Sequence, residues 1–243
     1  MKTKIKNSIP YKFTNEATEN EHILTISGAI GQGGWFYDAT SAEDVRNALD
    51  GVKAQTIRIK LNSGGGDAMD GIEIYNYLKD LDKKVVVEVT ALAASAASII
   101  AMGADEVIMR TGSTMMVHEA STMAYGTKAD IQKTLNALEA IDESILNIYT
   151  QKTGLSREEI ENMITSETWL TAEQALEKGF ATSIETVVED EPKPKNTIDE
   201  TFINSIVERV TAQLQNKNTN ELEKEIPIIE PNQVINKRRN FLF

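Results

Sequence analysis

Val85-Val-Val-Glu-Val-Thr90 is a run of β-branched residues that reads as a buried strand, and it passes straight into Thr90-Ala-Leu-Ala-Ala-Ser-Ala-Ala-Ser-Ile-Ile-Ala-Met-Gly103. The second stretch is alanine broken only by small polar and aliphatic residues, so it predicts a tightly packed helix. Ser95 falls at or just inside the N-terminus of that helix. Unpaired backbone N–H groups and the positive end of the helix dipole there face whatever the serine attacks. The alanines on either side leave room for a substrate backbone. In buried Ala-rich helices, however, a serine hydroxyl commonly bonds back to a carbonyl one turn earlier. The rest of the chain must supply a base, an orienting acid and an oxyanion hole before Ser95 counts as a nucleophile.

The neighbouring segments repeat the same strand-then-helix step. His22–Ile30 reads as a strand ending in the loop Gly31-Gln-Gly-Gly34, which carries the aromatic group Trp35, Phe36 and Tyr37. Ser41 caps a predicted helix with Val45, Ala48 and Leu49 on its apolar stripe. Thr56–Leu61 alternates as a strand, then the loop Asn62-Ser-Gly-Gly-Gly66 opens a helix from about Asp67 to Leu81. Short strands follow at 106–110 and 114–118. A long helix over about 127–152 carries Ile131, Leu135, Leu138, Ile141, Ile145 and Ile148 at helical spacing. Two shorter helices begin at Ser156 and Thr171, with Thr165–Leu170 as an irregular connection between them. Such alternation predicts an α/β fold with a largely parallel sheet.

Composition narrows the chemistry. The 243 residues include no cysteine, which removes disulfides, thiolate zinc sites and cysteine nucleophiles. Only His22 and His118 are available for imidazole chemistry, so a histidine-rich metal site is excluded. A net charge of −12 argues against general nucleic-acid binding. No apolar run approaches the ~18 residues of a membrane span, and the first residues lack the apolar core of a signal peptide. The expectation is a soluble, cytoplasmic protein without a metal or cofactor. Residues 1–20 read as a flexible lead-in, 21–186 as the main domain, and 187–243 as a linker and tail. Glu189–Lys195 supplies the charged, proline-containing linker, and Ile198, Phe202, Ile206, Val210 and Leu214 mark one stripe of an amphipathic helix.

The remaining parts of a serine site have candidates. Gly64-Gly-Gly66 fails the tests for a phosphate loop, since no Gly-Lys-Ser/Thr follows and Asp67 would repel a phosphate. It could be a tight turn, or a backbone lying alongside an extended peptide and offering N–H groups to its carbonyl. His118 closes a strand, where α/β folds commonly build sites, and suits a base at neutral pH. The orienting acid is open among Asp67, Asp70, Asp105, Glu119 and Glu167. Glu167 stands out modestly because loops carry function more often than helix faces do.

Asn62-Ser-Gly-Gly-Gly66, Ala93-Ala-Ser-Ala-Ala97, Met115-Met-Val-His118 and Glu167-Thr-Trp-Leu-Thr-Ala172 occur in the order and spacing of Clp-type serine peptidases. Residues 22–186 resemble that family, and most closely its phage and prophage branch of head-maturation (prohead) proteases. The resemblance implies a ClpP/crotonase-like fold of stacked ββα units, with the helix at 127–152 as a protruding handle through which subunits pack into rings. It implies Ser95 as nucleophile, His118 as base and Glu167 as the acid, where the family usually has aspartate. Gly66 and Ala96 match the oxyanion-hole positions, and Gly64 and Gly65 belong to the loop beside which an extended substrate is expected to bind. Gly64 replaces a proline common in the family, and Ser98 is left as a packing residue. The implied activity is endopeptidase cleavage of capsid or scaffold proteins, in the host cytoplasm or an assembling prohead, as a homo-oligomer with a possible Clp ATPase partner. The alternatives are a general ATP-dependent Clp proteolytic subunit, a crotonase-like acyl-CoA enzyme and a non-catalytic structural paralogue.

Overall fold

The computed structural model describes residues 9–17, 20–35 and 37–185, all within the first of the two units into which the chain divides, Met1–Val188. The linker at 189–195 and the stripe from Ile198 to Leu214 lie outside the described residues, as does Phe36. In chain order the elements are β1 (Lys12–Ala17), β2 (Glu21–Ile30), β3 (Ala39–Thr40), α1 (Ala42–Leu49), β4 (Thr56–Gly66), α2 (Ala68–Lys79), β5 (Lys84–Ala94), α3 (Ala96–Met102), β6 (Glu106–Arg110), β7 (Thr114–Val117), α4 (Lys128–Thr153), α5 (Arg157–Thr165), β8 (Thr168–Thr171), α6 (Ala172–Glu177) and β9 (Ser183–Glu185).

The strands run in the order β1-β2-β4-β5-β6-β9, with β7 joined to β5 and β8 joined to β7. Neighbours from β2 to β9 pair in parallel, as expected when each is followed by a helical return. Strand β4 buries Ile57, Ile59, Leu61 and Ser63 on one face in strict alternation. Its neighbour β5 buries Val85–Val89 without a break. Strand β5 is thus covered on both faces, and the one charge in this run, Glu88, is paired with Arg58 and Arg110. Helix α3 is buried along its whole length, and its small side chains let α2 approach closely. A Cβ at Gly71 of α2 would come 3.0 Å from the Ala96 Cβ.

Four helices begin at reciprocal capping boxes, built on Ser41, Thr127, Ser156 and Thr171. In each, the cap hydroxyl accepts from the third helical N–H while that residue's side chain binds the cap N–H. Helix α2 is capped instead by Asp67, whose Oδ1 accepts from the N–H groups of Met69 and Asp70 at 2.8 and 3.0 Å. That carboxylate is therefore occupied by its own helix.

Several segments differ from the sequence expectation. Residues 12–17 are not a flexible lead-in but an edge strand, antiparallel to β2 from Lys12↔Ser27 to Ala17↔His22. Most of β1 faces solvent, so it has no buried face to write an apolar alternation. Asn62–Gly66 is strand rather than loop, because β2 continues beside it and pairs Ala29 with Gly65 and Ile30 with Gly66. Thr90–Ala94 also remains strand, and the helix starts only after Ser95. Part of the connection at 165–170 is β8, held by pairing to β7. Among the described residues no helix is long and apolar enough to cross a membrane.

Candidate active site

Strand β5 changes partners along its length, and this change builds the site. Val86–Val89 pair with β6, whereas Leu92–Ala94 pair with β7. Between these stretches the register with β4 slips, since Leu61↔Val89 is followed by Ser63↔Ala93. The slip carries the end of β5 onto β7. The two strands then stop side by side, with Ala94 opposite Met116 and the Ser95 N–H donating to the Met116 carbonyl at 2.9 Å. Ser95 is the first residue past β5 and His118 the first past β7. Strand β8 runs antiparallel to β7, pairing Val117 with Thr168. One further step of that register sets Glu167 opposite His118.

Ser95 sits at the turn from strand to helix with φ 57° and ψ −127°, a left-handed conformation unusual for a non-glycine residue. Its hydroxyl makes no capping bond to α3. It meets His118 instead, with Nε2 and Oγ 2.7 Å apart. The glycines beside it are required by space. A Cβ on Gly65 would fall 2.6 Å from both the Ala94 carbonyl oxygen and the Ser95 Cβ, and one on Gly66 would fall 2.0 Å from the Ile30 carbonyl oxygen. Gly64 differs, because a Cβ there would meet nothing within 4 Å. Ala96 opens α3 directly after the serine and is buried.

The structure does not join Glu167 to His118. Glu167 is exposed, has a left-handed φ of 51°, and accepts from the Trp169 indole at 3.4 Å. Among the described residues, His118 has a hydrogen bond through Nε2 and none through Nδ1. The other acids weighed from sequence are engaged elsewhere: Asp70 accepts from the Ala42 N–H and Asp105 from the Val85 N–H, both at 2.8 Å, and Glu119 from the Thr165 hydroxyl at 2.9 Å. His22 lies away from this cluster, in β2, against Asn15.

Three polar residues near the pair were not legible as such. Ser98 is more than packing, for its hydroxyl donates to the Ser95 carbonyl at 2.7 Å and meets the Tyr149 hydroxyl at 2.8 Å. Asp142 of α4 accepts the Ala120 N–H at 2.6 Å. Burial pushes the Asp142 carboxyl above its ordinary value, the Ala120 N–H and His118 pull it down, and the charge of Glu119 adds to the rise. Burial likewise pushes the Tyr149 phenol up, against the bond to Ser98. Beside Ser95 and His118 lies a cavity of about 320 Å³, whose apolar wall includes Met69, Ile99, Leu138, Ile141 and Ile145. Among the described residues no group of three or more His, Asp or Glu comes together in a form that could hold a metal ion.

A serine at a strained strand–helix turn, in contact with an imidazole and flanked by obligatory glycines, is the site of a serine hydrolase. Residues 38–188 match the Clp protease family, more than half of the chain. The chain belongs to that family, and its enzyme class is serine-type endopeptidase. It is 28% identical over 188 residues to the ATP-dependent Clp protease proteolytic subunit 1 of Protochlamydia amoebophila, covering 73% of this chain and 88% of the relative. It is 27% identical over 149 residues to the ATP-dependent Clp protease proteolytic subunit of Bacteroides fragilis, covering 59% and 71%. In fold it is similar to a ClpP1 mutant from Listeria monocytogenes, with a TM-score of 0.59 and 24% identity over 68% of this chain and 91% of that one.

Proposed function

We propose that the chain cleaves peptide bonds with Ser95 as nucleophile and His118 as general base, a reading carried by the 2.7 Å contact between Nε2 and Oγ. An extended substrate lies along Gly64 and Gly65, where the backbone approach leaves no room for a side chain on Gly65. His118 takes the Ser95 proton as Oγ attacks the carbonyl carbon, and the N–H groups of Gly66 and Ala96 hold the oxyanion. His118 then gives the proton to the leaving amine, and water releases the acyl group by the same path. Loss of one oxyanion donor in such a site costs ~10²–10³ in turnover. The cavity beside the pair accepts an apolar side chain of the substrate. Glu167 orients His118 from the position just before β8, after leaving Trp169. The strained φ at Glu167 and the β7–β8 register support this role.

The proposed natural substrates are capsid or scaffold proteins cleaved during head maturation, by a homo-oligomeric ring packed through α4. The sequence resemblance to the prohead branch supports this, and exposed Trp35 and Tyr37 offer a surface to a partner protein. The second reading is a general proteolytic subunit working with a Clp ATPase, supported by the names of the relatives above. The first experiment is labelling with a fluorophosphonate probe, followed by mass spectrometry. An adduct on Ser95 that disappears in Ser95→Ala is expected, and an unlabelled wild type sinks the peptidase reading. Cleavage of a co-expressed capsid or scaffold protein without added ATPase favours the first substrate class. Cleavage that needs a Clp ATPase and ATP favours the second.

A further inference from the structure

Helix α4 bonds to a neighbour of each member of the pair, from one face: Tyr149 to Ser98, beside Ser95, and Asp142 to Ala120, beside His118. Asp142 and Tyr149 are seven residues apart, roughly two turns, so their side chains leave the helix in nearly the same direction. Ile145, between them, is buried and lines the cavity.

At the Tyr149 end, the hydrogen-bond directions follow from proton counting. The single Ser98 hydroxyl proton goes to the Ser95 carbonyl at 2.7 Å, so the Tyr149 hydroxyl must be the donor across the 2.8 Å contact to Ser98 Oγ. The chain Tyr149–Ser98–Ser95 thereby braces the carbonyl of a nucleophile held in a strained conformation. Tyr149 is itself fixed, being 1% exposed and tilted against Phe180 with ring centroids 5.5 Å apart. At the Asp142 end, Oδ1 takes the N–H of Ala120, two residues past His118. Residues 118–125 belong to no helix or strand, so such single bonds hold that segment in place. On its other side, Glu119 binds the Ile164 carbonyl and the Thr165 hydroxyl of α5.

We propose that Asp142 and Tyr149 are positioning residues that splint the histidine-bearing segment to the nucleophile turn through one face of α4. Neither touches the reacting atoms. The proposal rests on the reading of Ser95 and His118 as nucleophile and base.

The test uses the full chain, a fluorophosphonate probe and a chromogenic peptide. Asp142→Ala is expected to slow labelling and lower kcat by about 10- to 100-fold, the scale of a sub-ångström to 1 Å misplacement, with KM little changed. Asp142→Asn keeps an oxygen for the Ala120 N–H and is expected to recover to within about threefold of wild type. Tyr149→Phe keeps the ring in its packing and is expected to slow labelling by about 3- to 10-fold, independently of any folding defect at position 142. Ser144→Ala, on the exposed side of α4, is the control that stays at the wild-type rate. Full labelling at the end of each reaction shows that the variants are folded. Wild-type rates in Asp142→Ala and Tyr149→Phe overturn the splint, as does an Asn variant as slow as the Ala variant. A wild type that takes no label at Ser95 is a different failure, that of the peptidase reading beneath it.

Discussion

In the second half of α4, Ile145, Leu146, Ile148 and Tyr149 are buried in the domain's own core, whereas Ile131 and Leu135 in the first half stand 48% and 47% exposed. The apolar spacing is the same in both halves. The second half packs against the sheet-bound helix α3, as the contact of Tyr149 with Ser98 shows, whereas the first half reaches only the cavity, through Thr134, Ala137 and Leu138. Met123 and Tyr125, just before the helix, are fully exposed as well. An amphipathic stripe thus tells which face is apolar and not what covers it. The second half of this helix is part of the core, and exposed Ile131 and Leu135 of the first are left for a second copy under the assembly proposed above.

The comparison can be broken most directly at Ile145. Ile145→Ala is expected to cost about 2–5 kcal/mol of stability, read from the midpoint of urea unfolding, and to slow labelling of Ser95 as the cavity wall is lost. If Ile145→Ala unfolds at the wild-type midpoint, the second half of α4 is not the core element described. Next in size is the double substitution Ile131→Glu and Leu135→Glu. The protomer's own stability should change by no more than about 0.5 kcal/mol, while the species seen by sedimentation becomes smaller. An unchanged sedimentation coefficient would remove the exposed half from the assembly.

The smallest effect is electrostatic, and its sign differs between the halves. The hydroxyl and N–H of Thr127 hold the Asp130 carboxyl below its ordinary value. The unfolded chain therefore takes up that proton first, and the cap's contribution, complete above the ordinary aspartate value of about 3.9, is lost as pH falls below it. Asp142 runs the opposite way, because burial raises its carboxyl. As pH falls toward about 3.9, the folded chain takes up that proton first, and acid relieves the cost of a buried charge. Side-chain NMR titrations should place the two carboxyls on opposite sides of the peptide value. Shifts of the same sign would erase the distinction.

Much of the site could be read in the sequence because it follows local rules. Ser95 after a β-branched run, the glycines before α2 and His118 at a strand end are each a short pattern whose chemistry needs few neighbours. The helix caps at Ser41, Ser156 and Thr171 are equally local. What escaped depends on distant partners. Asn62–Gly66 and Thr90–Ala94 are strands because of what runs beside them, and their compositions alone suggest a loop and a helix. Strand β8 exists through β7. Asp142 and Tyr149 look like ordinary positions within a long helix, and their role rests on contacts to Ala120 and Ser98 that no periodicity encodes. Glu167 combines the two cases, since continuing the β7–β8 register brings its backbone opposite His118 while its side chain turns to Trp169.

The register slip that hands β5 from β6 to β7 has a consequence for biosynthesis. Ser95 leaves the ribosome 73 residues before Thr168, the start of the strand that backs β7. At the ~5–20 residues per second of translation this is a gap of about 4–15 s. Through that interval the chain carries its serine without the strand that pairs with β7, whose end bears His118. The nucleophile candidate is thus made well before the last strand that fixes the sheet around it.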